Sequence, residues 1–110
     1  MLERVEEIGK LFDYYSNLLN SKHKEVLELY YFQDMSLSEI SEIMNMTRQG
    51  VFDLLKRAEN NLQFYETSLG LIEKSKKMIT DLEAIKDKLL NDTDGKDILI
   101  SDIEKIIESM

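Results

Sequence analysis

Arg48 and Gln49 stand side by side directly after Thr47, with Asp53, Lys56 and Arg57 following one and two helical turns on. These residue types read nucleic-acid bases and phosphates. Arginine offers two donors that match guanine, glutamine an amide that matches adenine, and aspartate an acceptor for the cytosine amino group. Lysine and arginine neutralise phosphate. Thr47, Arg48, Gln49, Asp53, Lys56 and Arg57 are therefore the candidate nucleic-acid contacts. Asp53 cuts both ways, because it repels phosphate unless it meets a cytosine amino group. Phe52 beside them either touches a thymine methyl or packs on a neighbouring helix or subunit, and packing is the commoner use of a phenylalanine. Lys56 and Arg57 have an ordinary alternative as basic residues of a solvated face, with Lys56 pairing to Asp53 or Asn60. Gly50 costs about 1 kcal/mol in a helix relative to Ala, so it marks either close approach by a backbone or phosphate, or chance.

Other chemistries find no constellation. The chain has one histidine and no cysteine, so thiolate zinc sites, cysteine nucleophiles and a serine-histidine-acid triad are not assembled. His23 lies in phase with Val26, Leu27 and Tyr30 and reads as a boundary residue. Asp92 to Asp97 has the flavour of a calcium loop. Setting Gly95 at its sixth place, however, puts Leu90 first and Ser101 last, where carboxylates are needed, so a turn and cap is the simpler reading. There is no glycine-rich phosphate loop, and Glu6, Glu7, Asp102 and Glu104 are scattered around surfaces. The chain is expected to be non-enzymatic, with no cofactor, no metal and no small-molecule substrate.

The elements that must position the candidate contacts follow from helical periodicity. Val5, Ile8, Phe12, Tyr15 and Leu19, with Leu11 and Leu18 beside them, mark one face of an opening helix. A second helix runs from about Ser21 to Phe32 with Val26, Leu27 and Tyr30 inward. Ser36-Leu37-Ser38-Glu39 is a capping box and starts a short third helix with Leu37, Ile40, Ile43 and Met44 buried. Asn45 tolerates left-handed geometry, and Thr47 caps the fourth helix, whose inner face is Val51, Leu54, Leu55, Ala58 and Leu62. That helix extends to about Ser68, before Gly70. Residues 36–58 meet each requirement of a helix-turn-helix: apolar residues on facing surfaces, Ser41 small at the crossing, and Asn45-Met46-Thr47 as the corner with Met46 inward. Beyond Gly70, Ile72, Met78, Ile79, Leu82, Ile85 and Leu89 define a long amphipathic helix. Asn91 to Gly95 turns, and Ile98, Leu99, Ile103, Ile106 and Ile107 close a helical hairpin.

The expected class is thus all-α: a core of about four helices with the helix-turn-helix over residues 1–68, then a C-terminal helical extension over 69–110. A composition of 43% hydrophobic and 33% charged residues, no proline and four glycines supports a packed helical fold. The opening Glu3, Arg4, Glu6 and Glu7 do not make a secretory leader, and no apolar run reaches spanning length, so no membrane insertion and a cytoplasmic location are expected. The net charge of −8 is spread as −3, −2 and −3 over residues 1–35, 36–66 and 67–110, which opposes strong nonspecific binding to nucleic acid.

The string Met46-Thr-Arg-Gln-Gly-Val-Phe-Asp together with Lys56-Arg57-Ala58-Glu59 resembles the YlxM-type (p13-like) bacterial proteins. So do Leu27, Tyr30, Tyr31, Leu37, Glu39, Ile40, Ile43 and the segment Leu11 to Leu19, and the likeness spans about residues 5–66. The same stretch is similar to the promoter-reading helix-turn-helix of sigma factor region 4, with Thr47-Arg48 and then Val51 opening the recognition helix. Phe52 and Asp53 depart from that pattern, which prefers basic or amide residues. The resemblance implies a cytoplasmic regulatory or accessory protein linked to the signal recognition particle pathway through gene neighbourhood, with a particle component as a partner, and implies a homodimer. Two functions stay open: binding of DNA or structured RNA by the helix-turn-helix, or a homodimeric protein-interaction adaptor in which that corner does not bind DNA.

Overall fold

A computed structural model describes residues 2–91 and 95–110. Among these the regular structure is helical throughout, with no strand, and no helix is long and apolar enough to cross a membrane. The chain divides into two compact units, Met1–Ile72 and Glu73–Met110.

The first unit is built on α1 (Leu2–Tyr15), α2 (Ser21–Leu27), α3 (Leu37–Ile43) and α4 (Arg48–Leu69), with a single 3-10 turn, Ser16–Leu18, after α1. Asn20 starts α2 by accepting the His23 amide at 2.8 Å. α2 then continues as a π-helical turn, Glu28–Phe32, closed by Gln33 N–H donating to the Glu28 carbonyl at 3.0 Å. Widening the turn changes the phase of the side chains. Leu29 enters the core and Tyr30 stays at its edge, where uninterrupted α-helical spacing had placed Tyr30 inward. Asp34, in left-handed geometry (φ 53°), leads the chain back towards α3.

α3 begins as the sequence specified. Ser36 Oγ accepts the Glu39 amide at 3.1 Å, and Glu39 returns a carboxylate oxygen to the Ser36 amide at 3.0 Å. Asn45 turns the corner at φ 54°, and the Met46 amide closes it on the Ser41 carbonyl at 2.9 Å. Ile40 and Val51 are fully buried, with Met44 and Leu54 packed against them, so the two helices interlock as expected. Ile43 does not take part. It is 52% exposed, because a helix of only two turns can turn one narrow stripe inward, and Ile40 occupies it.

α4 is the axis of this unit and packs on α1, α2 and α3. Val51, Leu55, Ala58 and Leu62 meet Ile8, Leu11 and Tyr15 of α1 and Val26 and Leu27 of α2 in one apolar cluster. Leu11 is more central than Phe12, which is half-buried edge-to-face with Phe32 at 5.0 Å, while Leu18 is exposed. Gly70 ends α4 in left-handed geometry (φ 63°), and α5 (Leu71–Asn91) starts at once. Its first two amides are held by side chains: Leu71 N–H donates to the Tyr15 hydroxyl at 3.1 Å and Ile72 N–H to Glu66 Oε1 at 3.0 Å. Tyr15, fully buried, donates in turn to Glu66.

The second unit holds the rest of α5 and α6 (Lys96–Ser109). Ile85 and Ile106 are its buried residues, beside an ion pair of Lys88 Nζ with Asp102 at 2.6 Å. Met78 and Leu99 of the expected stripe are half-buried, while Ile79, Leu82 and Leu89 of α5 and Ile98, Ile103 and Ile107 of α6 are exposed within this chain. The turn from Asn91 to Gly95, and with it the calcium-like spacing, falls on residues 92–94 and so lies outside the described residues.

Candidate nucleic-acid interface

Thr47 fixes the first turn of α4. Its Oγ1 accepts the Gly50 amide at 2.9 Å, which aims Arg48 and Gln49 away from the core. A β-carbon on residue 50 would sit 3.0 Å from that same Thr47 oxygen and 3.4 Å from Met46 Cε. The glycine thus makes room for the cap and the corner methionine, a local cause in place of the backbone or phosphate approach that its cost had hinted at.

Arg48, Gln49, Phe52, Asp53, Lys56 and Arg57 are all solvent-exposed. They are not equivalent. Gln49 Nε2 donates to Asp53 Oδ1 at 3.1 Å, so the amide expected to read a base is engaged by the carboxylate expected to oppose phosphate. Arg48, Gln49, Phe52 and Leu37 line an open concavity of about 520 Å³ on the α3 flank of α4. Phe52, 41% exposed, shares this concavity with Leu37 of α3, and the Lys56 ammonium lies 5.7 Å from its ring centroid. Lys56 therefore turns to Phe52 and not to Asp53 or Asn60.

Arg57, next in the chain, lies on the same side of α4 as Asn61, one turn on, which meets His23. Arg57 itself lies close enough to His23 of α2 to lower the imidazole pKa, a shift due first to burial and then to the Arg57 charge. A step of about 100° per residue accounts for the divergence. The two cations thus leave α4 about 100° apart, Lys56 beside Phe52 and Arg57 towards His23 of α2. His23 is half-buried and meets Asn61, its Nδ1 standing 3.1 Å from the amide nitrogen, which agrees with its reading as a boundary residue.

One group of functional weight was not read from the sequence. Glu59, only 6% exposed, receives Arg4 Nη2 at 3.0 Å and the Tyr31 hydroxyl on the same oxygen, tying α1 and the π-helical turn to α4. Burial, and then the Glu59 carboxylate, push the Tyr31 phenol up to about 12. A charged residue at i+4 from Leu55 and i+8 from Val51 was the available signal, since it stands on the apolar side of α4. Among the described residues no group of three or more His, Asp or Glu is placed to hold a metal ion.

Comparison with known proteins places this arrangement. The model of the UPF0122 family, described as helix-turn-helix protein, YlxM / p13 like, matches residues 2–103. The chain belongs to this family. A UPF0122 protein of Caldanaerobacter subterraneus subsp. tengcongensis is 52% identical over 77 residues, covering 70% of this chain and 66% of the relative. One from Oceanobacillus iheyensis is 42% identical over 86 residues, 78% and 82% of the two chains. One from Listeria monocytogenes is 40% identical over 87 residues, 76% and 79%. The match spans a little under two thirds of the Caldanaerobacter and Thermoanaerobacter relatives, 66% and 65%. For this YlxM-like chain the family match takes in the whole corner from Ser36 to Arg57 and runs on into α6.

Proposed function

We propose that this UPF0122 protein is a non-enzymatic, cytoplasmic regulatory or accessory protein that binds nucleic acid, DNA or structured RNA, through the head of α4. The observation that carries the reading is the disposition of α4: capped by Thr47, it presents Arg48 and Gln49 to solvent with Lys56 beside Phe52 and Arg57 towards α2. A helix entering a groove needs readers at its leading end and cations towards the phosphate backbone that borders it. Thr47 positions, Arg48 and Gln49 read bases, Asp53 selects cytosine or restrains Gln49, and Lys56 and Arg57 hold phosphate. The signal recognition particle pathway, with a particle component as partner, enters only through the YlxM likeness.

Selection from random-sequence duplex DNA and RNA pools tests this reading. Alanine at Arg48 and Gln49 should flatten sequence preference. Alanine at Lys56 and Arg57 should weaken all sequences and reduce the salt slope by about one to two. Wild-type preference and wild-type slope in both variants would sink it.

A second reading draws on the second unit. The exposed Ile79, Leu82 and Leu89 of α5 and Ile98, Ile103 and Ile107 of α6 favour a homodimeric protein-interaction adaptor, in which the corner is scaffold and binds no DNA. Sedimentation of the full chain with Leu82 and Ile103 changed to Ser separates the two: loss of a dimer together with retained nucleic-acid selection would confine these residues to assembly.

A further inference from the structure

The α2 flank of α4 holds a group that the proposed contacts leave unused. Asn61, one turn beyond Arg57, sets its amide nitrogen 3.1 Å from His23 Nδ1. With the amide turned this way, its NH2 can donate to Nδ1 of a ring that carries its proton on Nε2. The charged group of α4 that faces the ring is Arg57, whose charge acts with burial to disfavour the imidazolium. On its own helix, Lys22 and Lys24 adjoin His23 in sequence, and Glu25 lies two residues on. An anion on Arg57 reverses this balance. It cancels the neighbouring positive charge and supplies a counter-charge to a protonated ring. Asn61 can follow by turning its amide, so that its carbonyl accepts from Nδ1–H and the contact survives.

We propose that His23, Arg57 and Asn61 form one phosphate-binding edge on the α2 side of α4, in which His23 takes up a proton when a phosphate sits on Arg57. This rests on the reading of Arg57 as a phosphate contact and adds to it a residue from another helix and a dependence on pH. Residues 1–66 are acidic as a linear string, and protonation of His23 beside Arg57 would add positive charge at this edge when it is occupied.

The chain has a single histidine, so one ring signal in an NMR pH titration of the full protein reports on the edge without assignment. Inorganic tripolyphosphate at matched ionic strength should raise the His23 midpoint by about half a unit or more. R57Q should raise the midpoint of the free protein and abolish the response to tripolyphosphate. Random-sequence duplex or RNA, whichever binds, should bind roughly threefold tighter at pH 6 than at pH 8, and H23Q should lose that dependence. A midpoint that neither tripolyphosphate nor R57Q moves overturns the proposal. Nucleic acid that binds without moving the midpoint overturns this edge alone. A midpoint moved by tripolyphosphate in a protein that binds neither pool supports the edge and removes the nucleic-acid role.

Discussion

Gln49 and Asp53 stand one turn apart on the exposed face of α4, and the glutamine amide donates to the aspartate at 3.1 Å. Both were candidate readers of a base edge, yet each occupies part of the other's hydrogen-bonding capacity. Binding that uses Gln49 must break or share this contact, and the carboxylate meanwhile opposes phosphate. Asp53→Asn removes the repulsion and loosens the hold on Gln49. Affinity for the selected nucleic acid should rise by about 1 kcal/mol, roughly fivefold, at low salt. Fluorescence anisotropy checks this, and weaker binding by the variant would show that Asp53 itself contacts a base.

The Arg4–Glu59–Tyr31 cluster joins three segments at one buried oxygen. Glu59→Ala strands the Tyr31 hydroxyl and the inner end of Arg4, and should cost about 2–4 kcal/mol in urea denaturation. Arg4→Ala should cost less, because that side chain is about half exposed and water replaces its partner.

Tyr31 also gives a signature at high pH. Its folded-state pKa, about 12, lies above the ordinary 10.0, so the stability it contributes is complete below pH 10 and is lost as pH rises towards 12. Ultraviolet titration should show late phenolates from Tyr31 and from buried Tyr15, of which Tyr31→Phe removes one, and the variant should lose less stability than wild type between pH 10 and 12.

The capping box should fail in acid. The Glu39 carboxyl sits below its ordinary range because the Ser36 amide and then the Ser36 hydroxyl favour its charged form. Its contribution is present above the ordinary value of 4.5 and disappears as pH falls through the lower folded-state value. Ser36→Ala should cost about 1 kcal/mol at neutral pH, measured by thermal denaturation, and Glu39→Gln should blunt the acid sensitivity.

Gly50→Ala offers a test of the cause assigned to that glycine. Helix propensity alone promises a gain of about 1 kcal/mol. Contact of the new methyl with Thr47 Oγ1 should cancel it, so the gain should emerge only in a Thr47→Ala background. A full gain in the wild-type background would contradict the steric account.

These cases also show what the linear sequence can carry. The Ser36–Glu39 box, the left-handed Asn45 and the Thr47 cap involve partners within a few residues, and each was legible before the fold was known. The π-helical turn was not, because propensities do not distinguish a five-residue turn from a four-residue one; with it, Leu29 is buried and Tyr30 stays at the edge of the core. Glu59 and Tyr15 take partners 28 to 56 residues away, beyond any periodic pattern. The divergence of Lys56 and Arg57 depends on what lies on either side of α4: Phe52 attracts one and α2 receives the other. In the second unit, periodicity placed an apolar stripe on each helix, but it cannot say how much of a stripe one short hairpin covers.

The junction at Gly70 bears on how the protein can be divided. Because Tyr15 and Glu66 serve as acceptors for the backbone of Leu71 and Ile72, a fragment cut at Ser68 would lose both of these contacts and keep the bond from Tyr15 to Glu66. An N-terminal fragment that keeps these contacts therefore runs through Ile72. A proteolytic nick between Leu69 and Ile72 would first have to pull the Leu71 and Ile72 amides off these two acceptors, even though the side chains of Leu69 and Leu71 are exposed.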